Sequence, residues 1–339
     1  MSHWHGALLR LVLLGCYLWQ RVIGVRICSA WSSVSKPWCG EFDVGALSGD
    51  FTAIVGKSSC KPFLYTHFSS SHLDILPHFV NHYAALGVQR DCFLLLWNTP
   101  PNSSADTERD AHAFFAALGV GVVQWRGVFT SAAAHYNKIS LLHSVQRSQW
   151  VVYADVDEFA ELGGDTVQAR IAVLETHAYT HQSAITVDRV AADGRLVNIR
   201  SAPGLALQYP QRCSFTAAHG RADKIVFLRG DLRTSSGNHI VISDRIFQLN
   251  NQSAPSHGVE RRASPCIVTL SHYKWTADVV VYLQQRIALY KTMAQYWGLT
   301  SSLLNSLRKN NWTVDINTYC GESVAIPGNQ KPECAASIV

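Results

Sequence analysis

The chain has 339 residues, and its 29 Lys and Arg against 24 Asp and Glu give a formal net charge of +5. Hydrophobic residues make up 47% and charged residues 16%, which excludes a disordered chain and allows one large domain or two ordinary ones. The basic residues form no stripe interleaved with aromatic residues, so we expect no nucleic-acid partner.

The first thirty residues predict a targeting segment. The apolar run Leu11–Trp19 is shorter than the ~20 residues a membrane-spanning helix needs, but it suits the core of a signal peptide. A small-residue cleavage site ends at Ala30. If the flanking arginines reach the membrane surface, residues 7–25 form a signal anchor instead, and both alternatives stay open.

Two further features predict entry into the secretory pathway. Three N-glycosylation sequons begin at Asn102, Asn251 and Asn311. Of the nine cysteines, eight lie at or beyond Cys28 and none forms C-x-x-C, which favours disulfides over a zinc ribbon. We therefore expect a glycoprotein of the Golgi or ER lumen, either a type II membrane protein or soluble, or a secreted protein.

Beyond a Ser- and Gly-rich stem at residues 31–60, strand and helix patterns alternate. Apolar spacing in the first helix leaves two starts open, an N-cap at Ser71 or a first turn at Pro77, and Gly87 is the expected C-cap. The predicted elements are a strand in KPFLYTHF, a helix in SSSHLDILPHFVNHYAALG, a strand in CFLLLW, a helix in TERDAHAFFAALG, a strand in VGVVQW, a helix in SAAAHYNKISLLHSVQRS and a strand in WVVYA.

This alternation predicts an α/β fold with parallel βαβ units and helices on both faces of the sheet. Ligands of such open sheets bind at the carboxyl ends of the strands. The segment WVVYADVDEFAEL places Asp155, Asp157 and Glu158 directly after the fourth strand. The acidic cluster therefore lies where a ligand is expected.

Carboxylates at this spacing predict a hard divalent cation, Mg²⁺ or Mn²⁺, shared with substrate phosphates. A calcium loop counted from Asp155 fails, because Phe159 and Ala160 stand where an oxygen ligand and a glycine are needed. A phosphatase pattern D-x-D-x-T fails as well, since Phe159 stands in the Thr position and three strands precede the motif.

Four segments together resemble the glycosyltransferase family 92 and family 2-like group, which has the GT-A fold. They are HYNKISLLHSVQRSQWVVYADVDEF, LPHFVNHYAALGV, DKIVFLRGDLRTSSGNHIV and LSHYKWTADVVVYLQQR. The resemblance covers residues 62–291. It implies a Rossmann-like, mostly parallel sheet in a GT-A domain over residues 61–295, followed by a C-terminal extension at 296–339.

The resemblance also implies a function, a metal-dependent glycosyltransferase of the hexosyl or pentosyl type. It would move a sugar from a nucleotide-sugar donor, with UDP the expected nucleotide, to a glycan or glycoprotein hydroxyl, using Mn²⁺ or Mg²⁺. The residues implied are Asp155, Asp157 and His272 for the metal, and Asn98, Asn137, Asp155, Lys224 and His239 for the nucleotide sugar. Glu158 is expected to support the site or to bind the acceptor.

Two departures from the group leave the chemistry open. The segment THFSSSHLD lacks the Asn-Glu pair that usually follows the first strand, and Gln208 stands near where related enzymes have an acidic residue. The candidate bases are Asp188, Asp223 and Asp231. Three alternatives stay open: the base lies elsewhere, the transfer retains configuration, or the enzyme is impaired. The rival function is a secreted carbohydrate-binding or catalytically inactive GT-A-like protein.

Overall fold

The computed structural model describes residues 25–29, 38–42, 46–48, 60–142, 145, 148–230, 232–242, 261–289 and 294–321. The apolar core of the predicted leader, the cleavage position Ala30, the sequon at Asn251 and the candidate base Asp231 lie outside the described residues. Within the described ranges, no helix is both long and apolar enough to cross a membrane.

Most described strands join one sheet. The strands are β1 (Val25–Ser29), β2 (Trp38–Phe42), β3 (Ala46–Ser48), β4 (Phe63–Ser69), β5 (Phe93–Thr99), β6 (Val122–Arg126), β7 (Trp150–Tyr153), β8 (Glu158–Glu161), β9 (His181–Val190), β10 (Gln211–Cys213), β11 (Asp223–Arg229), β12 (Arg233–Thr234), β13 (Val241–Ile242) and β14 (Val268–His272). The main sheet has the order β3-β6-β5-β4-β7-β11-β9-β14-β8, and β10 pairs with β9. The pairs β1–β2 and β12–β13 form two small antiparallel sheets.

The four predicted strands form the parallel part of this sheet. Strands β6, β5, β4 and β7 are neighbours in that order, and each adjacent pair is parallel. The chain therefore moves outward from β4 through β5 to β6 and then returns to the other side of β4 at β7. The predicted α/β fold is confirmed, and the strand order reverses between β4 and β7.

Beyond β7 the sheet is mixed. Strand β11 is antiparallel to both β7 and β9, β14 is parallel to β9, and β8 is antiparallel to β14 at the edge. In consequence, the start of β11, the end of β9, the end of β14 and the start of β8 all lie at the carboxyl edge of β7. Part of the predicted stem also joins the sheet, because β3 pairs with β6.

The helices match the predicted alternation and continue it past β8. They are α1 (Leu76–Ala85), α2 (Ala105–Ala117), α3 (Ser131–Leu142), α4 (Val167–Thr176), α5 (Leu205–Gln208), α6 (Phe215–His219), α7 (Val279–Leu289), α8 (Ala294–Lys309) and α9 (Ile316–Tyr319), with short 3-10 turns at Ser70–His72, Arg90–Cys92 and Ser236–Asn238.

Helix α1 begins at the proline rather than at the serine. Leu76 starts the helix with Pro77 in its first turn, so the expected N-cap at Ser71 is wrong and the alternative start is confirmed. Proline suits this position, because the first N–H groups of a helix have no partner within it. Gly87 ends the helix with a φ of 94°, a backbone conformation that residues with a Cβ rarely adopt, and this confirms the C-cap prediction.

Helix α1 also covers the edge strand β8. The Tyr83 hydroxyl donates to the carbonyl of Glu158 (3.1 Å) and accepts from the backbone N–H of Ala160 (3.2 Å). The His82 ring nitrogen Nε2 hydrogen-bonds the Ala160 carbonyl at 3.0 Å. Side chains of α1 thus bind backbone groups that an edge strand would otherwise leave without partners.

The C-terminal helices pack on the far part of the sheet around a second apolar cluster. Its members come from β9, β10, α6, the segment between β14 and α7, α7, α8 and the segment after α8. They are Val190, Cys213, Phe215, Trp275, Val279, Leu283, Leu303, Leu304, Leu307 and Val314. Disulfides join Cys60 to Cys92 and Cys213 to Cys320, which confirms the prediction that cysteines pair. The second disulfide holds the end of the described chain against β10.

We predict that Tyr83→Phe destabilises the protein by about 1–3 kcal/mol, because it leaves a buried carbonyl and a buried N–H of β8 unpaired. Urea unfolding at neutral pH measures the change. The matched control is Tyr179→Phe, since the Tyr179 hydroxyl makes no hydrogen bond within the described part of the chain. Equal midpoints for the two variants would contradict the role assigned to the Tyr83 hydroxyl.

Candidate functional site

The site is a loop of four residues that leaves β7 and enters β8. In this loop, Asp155 and Asp157 flank Val156, which is buried. Three strands whose ends lie along this edge each supply a charged side chain to the site: Lys224 from β11, Asp188 from β9 and His272 from β14. The arrangement follows from the mixed sheet, which brings residues distant in sequence to one edge.

Lys224 lies between two carboxylates. Its Nζ is 2.7 Å from Asp155 Oδ2 and 2.9 Å from Glu158 Oε1. The other oxygen of Glu158 accepts from the backbone N–H of Asp155 at 3.1 Å, which fixes the turn of the loop. The predicted residues Asp155, Lys224 and Glu158 are therefore together, and Glu158 supports the loop.

His272 lies between two further carboxylates. Its Nε2 is 3.3 Å from Asp157 Oδ2, and its Nδ1 is 2.9 Å from Asp188 Oδ1. Asp188 and His272 are paired in the register of β9 and β14, so the backbone itself brings them side by side. Two positive groups thus separate four carboxylates.

The charges shift one another's pKa values. Burial lowers the pKa of His272, but Asp157 and Asp188 outweigh it and raise the pKa to about 10. Burial raises the pKa of Asp155, while the Lys224 charge and hydrogen bond bring it down to about 2. Burial also raises the pKa of Asp157, but the charge and hydrogen bond of His272 lower it well below its usual range. Glu158 differs, because burial raises its pKa despite Lys224.

Exposure separates the four carboxylates into two kinds. The side chains of Asp155 and Asp157 are 35% and 19% exposed, whereas those of Glu158 and Asp188 are 3% and 1% exposed. Only the first two can contact a ligand directly. Glu158 instead binds the backbone of the loop, and Asp188 binds His272.

Of the candidate bases, Asp188 is fully used by the protein. Its Oδ1 accepts from His272, from Trp275 Nε1 (2.7 Å) and from the Thr216 hydroxyl (2.7 Å), and its Oδ2 accepts from the Thr216 N–H (2.6 Å). This leaves Asp188 no route to a substrate hydroxyl. Asp223 is 45% exposed and pairs with Arg221.

The other predicted ligand-binding residues are spread around the same edge. Asn98 is buried at the end of β5, and its Nδ2 donates to the carbonyls of Trp125 (3.2 Å) and Gly127 (3.0 Å), so its amide holds the loop after β6. Asn137 is buried in α3. The His239 ring nitrogen Nδ1 hydrogen-bonds the Asp223 carbonyl at 2.5 Å, next to Lys224.

Two basic residues close to the loop were not predicted from the sequence. His67 lies near the end of β4, stacked on Phe129 at 5.7 Å, and it is close enough to Asp155 to influence the pKa of that carboxyl. Lys138 is buried in α3, where its Nζ donates to three neutral oxygens of the β12–β13 segment. Their position in the predicted first strand and third helix was the signal available.

Asp157 and His272 are the two predicted metal ligands whose side chains contact each other. Two ligands that are each about 2.1 Å from one octahedral ion lie about 3 Å apart, close to the 3.3 Å between Asp157 Oδ2 and His272 Nε2. The contact of His272 Nδ1 with Asp188 matches the carboxylate support that metal-bound histidines commonly have. Asp155 is held by Lys224 instead, and the described ranges contain no group of three or more His, Cys, Asp or Glu that could hold a metal.

The chain resembles solved structures but no curated sequence. No model of a protein family and no curated protein sequence matches the chain. A crystal structure from Desulfovibrio desulfuricans G20, provisionally described as a nucleotide-diphospho-sugar transferase, aligns with 12% identity and a TM-score of 0.27, over 76% of this chain and 100% of that one. At this TM-score, any assignment of function rests on the residues of this chain.

We predict that Lys224→Met destabilises the protein by about 3 kcal/mol at pH 8, because it leaves the buried Glu158 and the half-buried Asp155 without their cation. The loss should shrink towards pH 5, because burial raises the Glu158 pKa and the variant lacks the Lys224 charge that lowers it. Urea unfolding at both pH values measures it, with the exposed Lys309→Met as the control. A loss that is the same at pH 5 and pH 8 would contradict the pairing.

A second prediction concerns alkaline pH. Because the folded protein raises the His272 pKa from 6.5 to about 10, the protonated ring stabilises the fold fully below pH 6.5, and this contribution is lost as pH rises through 10. The free energy of unfolding of His272→Gln should therefore fall less steeply than that of the wild type between pH 7 and pH 10. Parallel pH profiles for the two proteins would show that His272 carries no such charge.

Proposed function

We propose that the protein is a metal-dependent glycosyltransferase that takes a nucleotide-sugar donor, a UDP-sugar first among those to test. The observation that carries the proposal is the position of Asp155 and Asp157, partly exposed carboxylates at the carboxyl edge of the sheet, where the strand order reverses between β4 and β7. Crevices of this kind are where open α/β sheets bind nucleotides. The segments that resemble the family 92 and family 2-like group support the same function.

The chain's own residues would divide the work at this crevice. Asp157 and His272 would hold Mn²⁺ or Mg²⁺, and Asp155 would face the ribose of the donor. When bound, the cation would neutralise charge on the diphosphate leaving group. Lys224 contacts Asp155, and His239 contacts the carbonyl of Asp223, the neighbour of Lys224 in the chain. Both side chains can donate to diphosphate oxygens or to the acceptor.

The acceptor in this proposal is a hydroxyl of a glycan or glycoprotein in the Golgi or ER lumen. The transfer forms a bond from the hydroxyl oxygen to the sugar's anomeric carbon and breaks the bond from that carbon to the diphosphate. The two described disulfides support an oxidising compartment, where such bonds form and persist. Asn102 and Asn311 are exposed, as N-glycosylation requires.

One observation favours a second candidate, a carbohydrate-binding or catalytically inactive protein of the same fold. A transfer with inversion needs a carboxylate that takes the proton of the acceptor hydroxyl. Asp188 is buried with both oxygens bonded, and the Asp223 carboxylate pairs with Arg221. An inactive protein would bind the donor nucleotide or a glycan and transfer nothing.

The experiment is a calorimetric titration of the full chain with UDP, with and without Mn²⁺. We predict binding that depends on Mn²⁺ and that weakens at least about tenfold in Asp157→Asn, because the substitution removes one of two metal ligands. The surface variant Asp110→Asn makes the same change of charge away from the site and should bind like the wild type. Hydrolysis or transfer of a UDP-sugar then separates an active enzyme from the second candidate.

Two outcomes would contradict the proposal. UDP binding that is identical with and without Mn²⁺ would remove the metal from it. If the folded wild-type chain binds neither UDP nor other nucleoside diphosphates in the presence of Mn²⁺, the glycosyltransferase function is wrong, and glycan binding becomes the property to test.

A further inference from the structure

Asp188 is the most completely bonded carboxylate of the site. Four donors meet its two oxygens: the imidazole of His272, the indole of Trp275, and both the hydroxyl and the N–H of Thr216. The side chain is 1% exposed. A carboxylate that accepts so many hydrogen bonds is held in one orientation and stays ionised despite its burial, and the pKa of Asp188 is accordingly lowered.

We infer that Asp188 is a positioning residue, which fixes the ring of His272 so that Nε2 faces Asp157 and the ligand. This inference rests on the proposed function for its ligand, but its geometry stands by itself. The carboxylate meets Nδ1 from one side and Asp157 meets Nε2 from the other, so the ring cannot flip without losing both contacts. Asp188 is thereby removed from the set of candidate bases.

Two of the groups that hold Asp188, Trp275 and Thr216, are tied to the second apolar cluster, of which Trp275 is a member. Thr216 follows Phe215 in α6, and Phe215 packs edge-on against Trp275 and Tyr319, with ring centroids 4.6 and 4.9 Å apart. The cluster thus fixes Thr216 and Trp275, these fix Asp188, and Asp188 fixes His272. The orientation of one ligand-facing side chain therefore depends on the packing of the second apolar cluster.

The test uses Asp188→Asn in the full chain. An amide cannot replace the carboxylate, because either orientation sets its NH₂ group against a donor, Thr216 N–H in one case and the His272 and Trp275 N–H groups in the other. We expect Mn²⁺ affinity in the presence of UDP to fall 10- to 100-fold, the usual effect of losing such support. Thr216→Val, which removes only the hydroxyl donor, should lower the affinity by a smaller factor.

The matched control is Thr186→Val in the same strand. The Thr186 hydroxyl is buried and has no hydrogen-bond partner among the residues that the structure describes, so this change should leave the affinity as in the wild type. A second readout is independent of metal binding: the Nδ1–H proton of His272, identified in NMR spectra by its loss in His272→Gln. It should exchange slowly with water in the wild type and in Thr186→Val, and faster in Asp188→Asn.

The two readouts separate the possible failures. If the wild type binds no Mn²⁺ with UDP, the proposed function fails, while the exchange rate of the His272 proton still decides the positioning role. If Asp188→Asn is folded, binds Mn²⁺ as tightly as the wild type and keeps the slow proton, Asp188 does not position His272. If Asp188→Asn does not fold, unchanged affinity and exchange in Thr216→Val overturn the inference.

Discussion

The site depends on the alternation of buried charges of opposite sign. Lys224 separates Asp155 from Glu158, and His272 separates Asp157 from Asp188. Four carboxylates this close together would repel one another and lose hydration that nothing replaces. With a cation between each pair, two of them can be buried as supports while the other two stay partly open to solvent. The protein's own cations, Lys224 and His272, thus balance the acidic residues that follow β7.

The sheet makes this alternation possible by its change from parallel to mixed. Between Tyr153 and Glu158 the chain can extend about 17 Å. Four strand spacings separate β7 from β8 in the order of the sheet, which is about 19 Å if the sheet were flat. The sheet must therefore curl, and the loop passes across the ends of β11, β9 and β14. Lys224 of β11 and His272 of β14 contact the loop, and Asp188 of β9 contacts His272.

The sequence was sufficient for the parallel half and for the carboxylates at its edge, because apolar runs, helical spacing and the position of an acidic turn are local properties. The partners Lys224 and His272 were expected only from the resemblance of longer segments, and their pairing with particular carboxylates was not predicted. Lys224 lies 69 residues from Asp155, and antiparallel pairing over such distances leaves no local pattern. Asp188 illustrates the same point: at a strand end it is typical of a catalytic acid, and only Thr216, Trp275 and His272 around it show that its oxygens are taken. Which of Ser71 and Pro77 begins α1 likewise depended on contacts of the folded chain.

The disulfide between Cys213 and Cys320 spans 107 residues, and both cations, Lys224 and His272, lie inside the loop that it closes. The partly exposed carboxylates Asp155 and Asp157 precede this loop in the chain. A single cut of the backbone anywhere within this loop consequently gives two fragments that remain one covalent molecule. The positive and negative halves of the site would then stay together in a nicked chain, and they would separate on a gel only after reduction.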